Sequence, residues 1–199
     1  MDVAGSGDTL PPPTGLRSLG LTIRESRKKS GLTLQQLAKK ARLSISYLSQ
    51  VERNILTPSV STLKRIADLL EIPAGKLMFG GENGGGLSAI GVVRKNRRKR
   101  ISFPGSNIEY ELLTPDLRRR ASLLWLTAPP GAESGPAFVH EGEDGVVVLK
   151  GKLEIEIGGM HHELTAGDSI YFNAGLPHCW RNVGDDTVEA IWLSTPPSF

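Results

Sequence analysis

The sequence predicts two domains, an all-α domain followed by an all-β barrel. Two changes along the 199 residues predict this division. The apolar spacing is helical up to about residue 79 and typical of strands from about residue 122. The charge changes as well: residues 16–80 hold 12 Lys and Arg against 4 Asp and Glu, whereas residues 106–199 hold 6 against 14. Because only the basic half attracts polyanions, the two halves are expected to have different partners.

The composition argues against a membrane-spanning protein and indicates the cellular compartment. No apolar run approaches the ~18–20 residues that a membrane-spanning helix needs. The single cysteine, Cys179, excludes an internal disulfide and fits a reducing compartment. Residues 1–15 contain three consecutive prolines and lack the basic start and apolar core of a signal peptide, so they are predicted to be a disordered tail. We expect a cytoplasmic protein that does not contact a membrane.

Five short helices are predicted in the first half, over about 18–30, 34–41, 45–53, 60–70 and 74–79. The apolar residues of the second and fourth helices recur at the spacing of one helical face. Thr33 and Gln36 have the spacing of a capping box, and Ser44 and Ser59 are predicted N-caps of the next two helices. This half, residues 16–79, is therefore predicted to be a compact helical domain.

Residues 80–105 are predicted to be a linker. Its first part is glycine-rich and cannot hold regular structure, and its second part carries the basic run 94–100. That run has two interpretations, a solvated strand edge or loop, and an additional phosphate contact beside the helical domain. We left both open.

The remaining residues, 106–199, are predicted to form strands. Five β-branched or aromatic runs, several of them alternating, are separated by glycine-containing turns; they cover 122–127, 146–149, 153–157, 169–172 and 187–193. Strands at such short intervals predict a barrel or a sandwich.

The second and third predicted helices have the pattern of a helix-turn-helix. Leu37 and Ala38 of the helix over 34–41 can pack against Leu48 and Val51 of the helix over 45–53, across a tight turn. The helix over 45–53 then exposes isoleucine, serine and glutamine side chains. Gln can pair with adenine, Ser with bases or phosphates, and Ile with a thymine methyl group. This surface predicts sequence-specific binding to DNA.

The segments Leu32–Ala38, Leu43–Arg53, Thr57–Ser59 and Leu63–Ala67 resemble the Cro/C1-type (XRE) helix-turn-helix family. The resemblance covers about residues 16–79 and implies a five-helix, lambda-repressor-like fold. Arg42 and Asn54 stand where the family usually has glycine. The DNA-binding residues implied by the resemblance and by exposure are Gln35, Ser44, Ile45, Ser46, Tyr47, Ser49, Gln50 and Arg53. Tyr47 was left open between phosphate contact and packing.

Two segments of the second half, His140–Gly151 and Gly167–His178, resemble the paired motifs of the cupin family. This resemblance covers about residues 120–195 and implies a jelly-roll barrel of six to eight strands. Metal-binding cupins present histidines and a glutamate from these motifs. Here Phe138 stands at the first histidine position, while His140, Asp144 and His178 fall at ligand positions.

No metal is favoured for the barrel, because a phenyl ring cannot coordinate one; a metal, if bound, would be held by His140, Asp144 and His178. The favoured ligand is instead a small organic effector such as an amino acid or a polyamine-like metabolite, with His140, Glu143, Asp144 and His178 lining its site. His161 and His162 are predicted to be surface residues of a hairpin.

The function predicted from these features is that of a non-enzymatic, ligand-responsive transcription regulator, a repressor that binds operator DNA as a homodimer or higher even oligomer. Two alternatives remain open at this point. The first is a metal-dependent cupin enzyme tethered to DNA, which would need the full set of metal-ligating residues. The second is an architectural DNA-binding protein without an effector, whose barrel interior would be filled by side chains.

Overall fold

The computed structural model describes residues 14–79, 90–103 and 105–198. The helices of its first domain are α1 (Thr14–Lys29), α2 (Leu34–Lys40), α3 (Ile45–Glu52), α4 (Val60–Leu69) and α5 (Ala74–Phe79). All five predicted helices are present. Because α1 begins at Thr14, the predicted tail is shorter than 15 residues; residues 1–13 and the glycine-rich part of the linker lie outside the described residues.

Side chains cap the starts of α2, α3 and α4, as the sequence predicts. The Thr33 hydroxyl accepts from the Gln36 amide at 3.1 Å, and the Gln36 side chain accepts from the Thr33 amide at 2.8 Å. Ser44 and Ser59 accept from backbone amides three residues further on. Since the first amides of a helix have no intrahelical acceptor, these caps fix where each short helix begins.

Two contacts with α1 fix the position of α3. Arg27 forms a buried, two-pronged ion pair with Glu52, at 2.6 and 2.8 Å, and the Asn54 side chain accepts from the Gly20 amide at 2.8 Å. Gly20 is required there, because a Cβ atom would lie 2.4 Å from the Val51 carbonyl oxygen. The C-terminal end of α3, the helix that is predicted to read DNA, is therefore held against α1 by its last residue, Glu52, and by Asn54 just after it.

Arg42 and Asn54 adopt left-handed backbone conformations, with φ of 53° and 57°. These are the two positions where the XRE family usually has glycine, which enters this region at no steric cost. Asn54 lies just after α3, and asparagine tolerates this geometry better than most residues.

Nine strands occur among the described residues. They are β1 (Lys99–Phe103), β2 (Ile108–Leu112), β3 (Ser122–Ala128), β4 (Glu143–Lys150), β5 (Lys152–Ile157), β6 (Met160–Thr165), β7 (Ser169–Asn173), β8 (His178–Asn182) and β9 (Val188–Thr195). They form two antiparallel sheets, one in the order β1-β2-β3-β9-β4-β7 and one in the order β6-β5-β8. Alternate residues of β5 and β9 are buried, as expected of sheets that pack face to face around one core.

The predicted jelly-roll architecture is present, with one strand more than the expected upper number. β1 lies within the segment that the sequence predicts to be a linker, so the second domain begins before residue 105. In the basic run, Arg98 and Arg100 form ion pairs with Glu111 of β2, and Arg94 and Lys95 remain exposed. Two residues of the run, Lys99 and Arg100, are thus part of an edge strand, which agrees with the first of its two interpretations.

The two domains are in contact. The Ser61 amide of α4 donates to the Ser134 carbonyl of the loop before β4 at 3.2 Å, and α1 and α5 pack beside β1. Gly135 lies so close to α4 that a Cβ atom would be 2.6 Å from the Ser61 hydroxyl oxygen. In the described part of the chain, no helix combines the length and the apolar character needed to cross a membrane.

Candidate DNA-binding surface and barrel site

The exposed face of α3 carries most of the predicted DNA contacts. Leu48 and Val51 are buried in the helical domain, which turns Ile45 and Ser46 towards solvent; Ile45 is 48% exposed. An isoleucine so exposed at the start of a helix has no role in the core. Gln35, on the neighbouring helix α2, is exposed as well.

The other predicted residues of this surface are more constrained. The side-chain amide of Gln50 (Nε2) donates to the Ser46 hydroxyl at 3.2 Å, so these two side chains are held together on the surface. Arg53 is exposed and donates to the Ser49 carbonyl at 3.3 Å, which keeps its guanidinium near the end of α3. The half-buried Tyr47 packs against the core, and burial raises its pKa. This packing agrees with one of the two interpretations of Tyr47, and the phosphate contact stays a prediction.

Three of the four predicted effector-site residues lie together in the barrel. His140 precedes β4, Asp144 belongs to β4 of the larger sheet, and His178 begins β8 of the smaller sheet. Asp144 Oδ2 lies 3.2 Å from His140 Nε2 and 3.8 Å from His178 Nε2. Asp144 and His178 are fully buried. We call these three residues the barrel cluster.

His178 presents a lone pair to the barrel cluster. Its Nδ1 lies 2.8 Å from the Leu176 carbonyl, so this nitrogen carries the proton and donates. Burial, with a further contribution from the charge of Lys64, lowers its pKa to about 4, which leaves the ring neutral at pH 7. Nε2 is buried and has no hydrogen-bond partner. An orphaned imidazole nitrogen of this kind can accept a hydrogen bond from a ligand or a water molecule, or coordinate a metal ion.

Asp144 is the anion of the site. Trp192 Nε1 donates to its Oδ2 at 2.8 Å, and the same oxygen faces His140. Burial by itself would raise the pKa of Asp144, but the hydrogen bond with His140 and the charges of His140 and Lys64 outweigh it and lower the pKa. The side chain is therefore a buried carboxylate at neutral pH, and a buried carboxylate requires a counter-charge.

The barrel cluster has the ligand set of a divalent metal ion. Its three ligand atoms lie within 4.8 Å of one another, and two imidazoles with a carboxylate suit Fe, Mn, Zn or Ni. Phe138 takes the place of a further imidazole, with its ring 4.5 Å from the His178 ring between centroids. Such a metal would have three protein ligands and an open position.

Glu143, the fourth predicted effector-site residue, lies outside the barrel cluster. Adjacent residues of a strand point to opposite faces of the sheet, and Asp144 takes the inner face of β4. Glu143 is exposed and accepts a hydrogen bond from the Tyr171 hydroxyl at 2.6 Å. The same alternation separates Cys179, half-buried beside Glu156, from His178, as expected.

The structure adds a residue that the sequence analysis did not assign to this site. Lys64 of α4, in the helical domain, is 4% exposed, and its Nζ lies 3.9 Å from the centroid of the Phe138 ring. Burial lowers its pKa to about 7, although Asp144 and Asp68 act in the opposite direction. A sequence signal existed, because position 64 is four residues after Val60 and three before Ala67, both on the buried face of α4.

Comparison with known proteins assigns both domains. The helix-turn-helix family (HTH_3) matches residues 23–77, and the cupin domain family (Cupin_2) matches residues 124–194. The HTH-type transcriptional regulator SutR of Escherichia coli (strain K12) is 29% identical over 175 residues, which are 87% of this chain and 92% of SutR. The HTH-type transcriptional regulator PuuR of the same organism is 24% identical over 155 residues, 77% of this chain and 82% of PuuR.

A solved structure shows the same two-domain fold. An HTH_3 family transcriptional regulator from Vibrio cholerae matches with a TM-score of 0.67 and 21% identity, covering 92% of this chain and 97% of that one. The similarity thus extends across both domains and not only over the helix-turn-helix. The chain therefore carries a helix-turn-helix domain of the HTH_3 (XRE) family followed by a cupin domain, and over both domains it is similar to known transcription regulators.

Proposed function

We propose that this regulator binds operator DNA through α3 and responds to a small organic effector bound at the barrel cluster. In the proposed DNA complex, Ile45, Ser46 and Gln50 contact base edges in the major groove, and Gln35, Ser44 and Arg53 contact phosphates. The excess of basic residues in the first domain supports this assignment, because phosphate contacts supply much of the affinity for DNA.

The buried, fully enclosed Asp144 carboxylate beside two histidines is the observation that carries the effector proposal. Phe138 provides an aromatic face next to it, and the ammonium group of Lys64 lies against that face. A carboxylate with an aromatic neighbour is a suitable environment for a positively charged nitrogen. The proposed effector is therefore a small metabolite with an amino group, such as an amino acid or a polyamine.

A metal-dependent role is the second candidate, and the orphaned Nε2 of His178 favours it. His140, Asp144 and His178 would hold the ion, which would act as a Lewis acid at its open position. Phe138 on one side of the cluster leaves fewer protein ligands than metal-binding cupins usually have. In that case the hydrogen bond to the Leu176 carbonyl and the burial of His178 would keep its imidazole neutral, as a metal ligand must be.

The two candidates differ in the compound that is expected to change the affinity of the protein for operator DNA. Operator sites would first be selected from random DNA with the full-length protein. The dissociation constant for the selected DNA would then be measured with and without a panel of amino acids and aliphatic diamines. An effective compound should change it by about 5- to 150-fold, the range typical of coupled sites.

His178→Ala should remove this dependence, and His162→Ala, a change of the same type on the outer hairpin, should not. If operator affinity responds instead to zinc or iron and not to the organic panel, and a chelator reverses that response, the metal candidate replaces the organic effector. A protein that selects no DNA sequence at all would contradict the proposed function as a whole.

A further inference from the structure

Lys64 is unusual because it belongs to one domain and is buried in the other. It lies on α4, which follows directly after the predicted DNA-reading helix, yet its ammonium group is on the Phe138 ring at the mouth of the barrel. The charge of Asp144 acts on it, and its own charge acts in turn on Asp144 and His178. It is the positive charge that the DNA-binding domain supplies to the barrel cluster.

The backbone next to Lys64 connects the same elements. The Ser61 amide donates to the Ser134 carbonyl, and Gly135 packs against the first turn of α4. Three residues further along this loop, Phe138 exchanges two backbone hydrogen bonds, each 3.0 Å long, with His178. A short path of direct contacts therefore joins α4 to the barrel cluster.

We propose that Lys64 couples the charge state of the barrel cluster to the docking of the DNA-binding domain. In this structure the positive charge of Lys64, held against the Phe138 ring, acts on the Asp144 carboxylate together with His140. A cation, or the cationic group of an effector, that pairs with Asp144 takes over this role, so that Lys64 is repelled and α4 leaves the barrel. Lys64 is thus a positioning residue whose side chain transmits the state of the barrel site. The regulatory meaning of this coupling rests on the proposed function.

The Ser61 amide is a direct reporter of docking. It is in the first turn of α4, where amides have no intrahelical acceptor, and its acceptor is the Ser134 carbonyl of the other domain. Hydrogen–deuterium exchange at this amide in the full-length, DNA-free protein therefore measures how often α4 separates from the barrel.

The test is a double-mutant cycle between Lys64→Met and Asp144→Asn. In the wild-type background, Asp144→Asn should speed exchange at Ser61 by about tenfold or more, because it removes the larger of the two negative charges that act on the buried Lys64, those of Asp144 and Asp68. In the Lys64→Met background the same change should alter exchange by less than about twofold, because no charge is left to compensate. Equal factors in the two backgrounds, or no effect in the wild-type background, overturn the proposal.

A second cycle covers the case in which Asp144→Asn unfolds the barrel. Phe138→Leu keeps an apolar side chain and removes the ring under the ammonium group, so it should speed exchange at Ser61 only while Lys64 is present. Lys150→Met and Asp185→Asn make the same chemical changes at exposed positions and should leave Ser61 unchanged. An effect of either control as large as that at Lys64 or Asp144 also overturns the proposal.

These measurements are independent of DNA and of any effector. Independent effects of the two substitutions in a protein whose operator binding responds to an effector would overturn the coupling role alone. A coupled cycle in a protein that binds no specific DNA would overturn the proposed function alone.

Discussion

Arg27 and Glu52 form an ion pair that is almost closed to solvent, with side-chain exposures of 10% and 6%. Arg27→Ala would leave the Glu52 carboxylate buried without its partner, and the Arg27 guanidinium also donates to the Leu32 carbonyl. Loss of one partner of a buried pair costs about 3–5 kcal/mol. We expect the free energy of unfolding of the helical domain to fall by that amount, measured by urea denaturation followed by circular dichroism.

The matched control is Arg24→Ala, because Arg24 is exposed on the same helix. Its effect should remain within about 0.5 kcal/mol. The double variant Arg27→Met/Glu52→Leu should recover most of the lost stability, since apolar residues of similar volume often replace a buried pair without cost. If the single and double variants are equally unstable, the ion pair is not the cause.

At the level of single residues, the sequence predicted the barrel cluster but not its whole environment. His140, Asp144 and His178 were found because the cupin motifs fix their positions on separate strands. Glu143 was included because an acidic residue beside Asp144 looks equivalent until the strand alternation is known. Lys64 was missed, since the partner of a buried lysine in another domain cannot be inferred from local spacing.

Gln50 and Arg53 of α3 are expected to contribute differently to DNA binding. Gln50→Ala should weaken binding to the selected operator by roughly 1–3 kcal/mol and leave binding to random DNA nearly unchanged. Arg53→Ala should weaken both and reduce the salt slope of the binding constant by about one. Fluorescence anisotropy at several salt concentrations measures both quantities. Identical behaviour of the two variants on operator and random DNA would show that the division into base and phosphate contacts is wrong.

At the level of elements, helices were easier to predict than strands. The three capped helices have local signals, a hydroxyl side chain followed by an apolar stripe, and their starts are as predicted. Of the four strands missing from the prediction, β1, β6 and β8 lie at a sheet edge, whereas β2 lies inside the larger sheet and is mostly buried. β1 contains only the end of the basic run, and glutamates of β2 form ion pairs with Arg98 and Arg100, which only the pairing of the two strands reveals.

For the whole molecule, we predict a homodimer. One recognition helix reads too few base pairs for useful specificity, and two copies on a pseudo-palindrome would place their helices about 34–36 Å apart, one turn of the DNA. Sedimentation velocity should give twice the monomer mass for the protein on its operator. A monomer both free and on operator DNA would contradict this prediction.

The opposite charges of the two halves also act at this scale. The acidic second half, with 14 Asp and Glu against 6 Lys and Arg over residues 106–199, is repelled by the phosphate backbone. We therefore expect electrostatics to orient the molecule before any specific contact forms, with the helical domain towards the duplex. The exposed Arg94 and Lys95, which precede β1, add positive charge outside the helical domain.

The placement of Lys64 in the barrel has a consequence for the evolution of such chains. Positions 64 and 144 share one electrostatic requirement although they belong to separate domains. A lineage that loses the acid at position 144 has no use for a buried lysine at position 64, and an apolar residue is expected to replace it. Covariation between these two columns of a family alignment would therefore record which regulators retain this lysine–aspartate pair, and a helix-turn-helix domain transplanted onto a foreign cupin barrel would need a matching acid to dock.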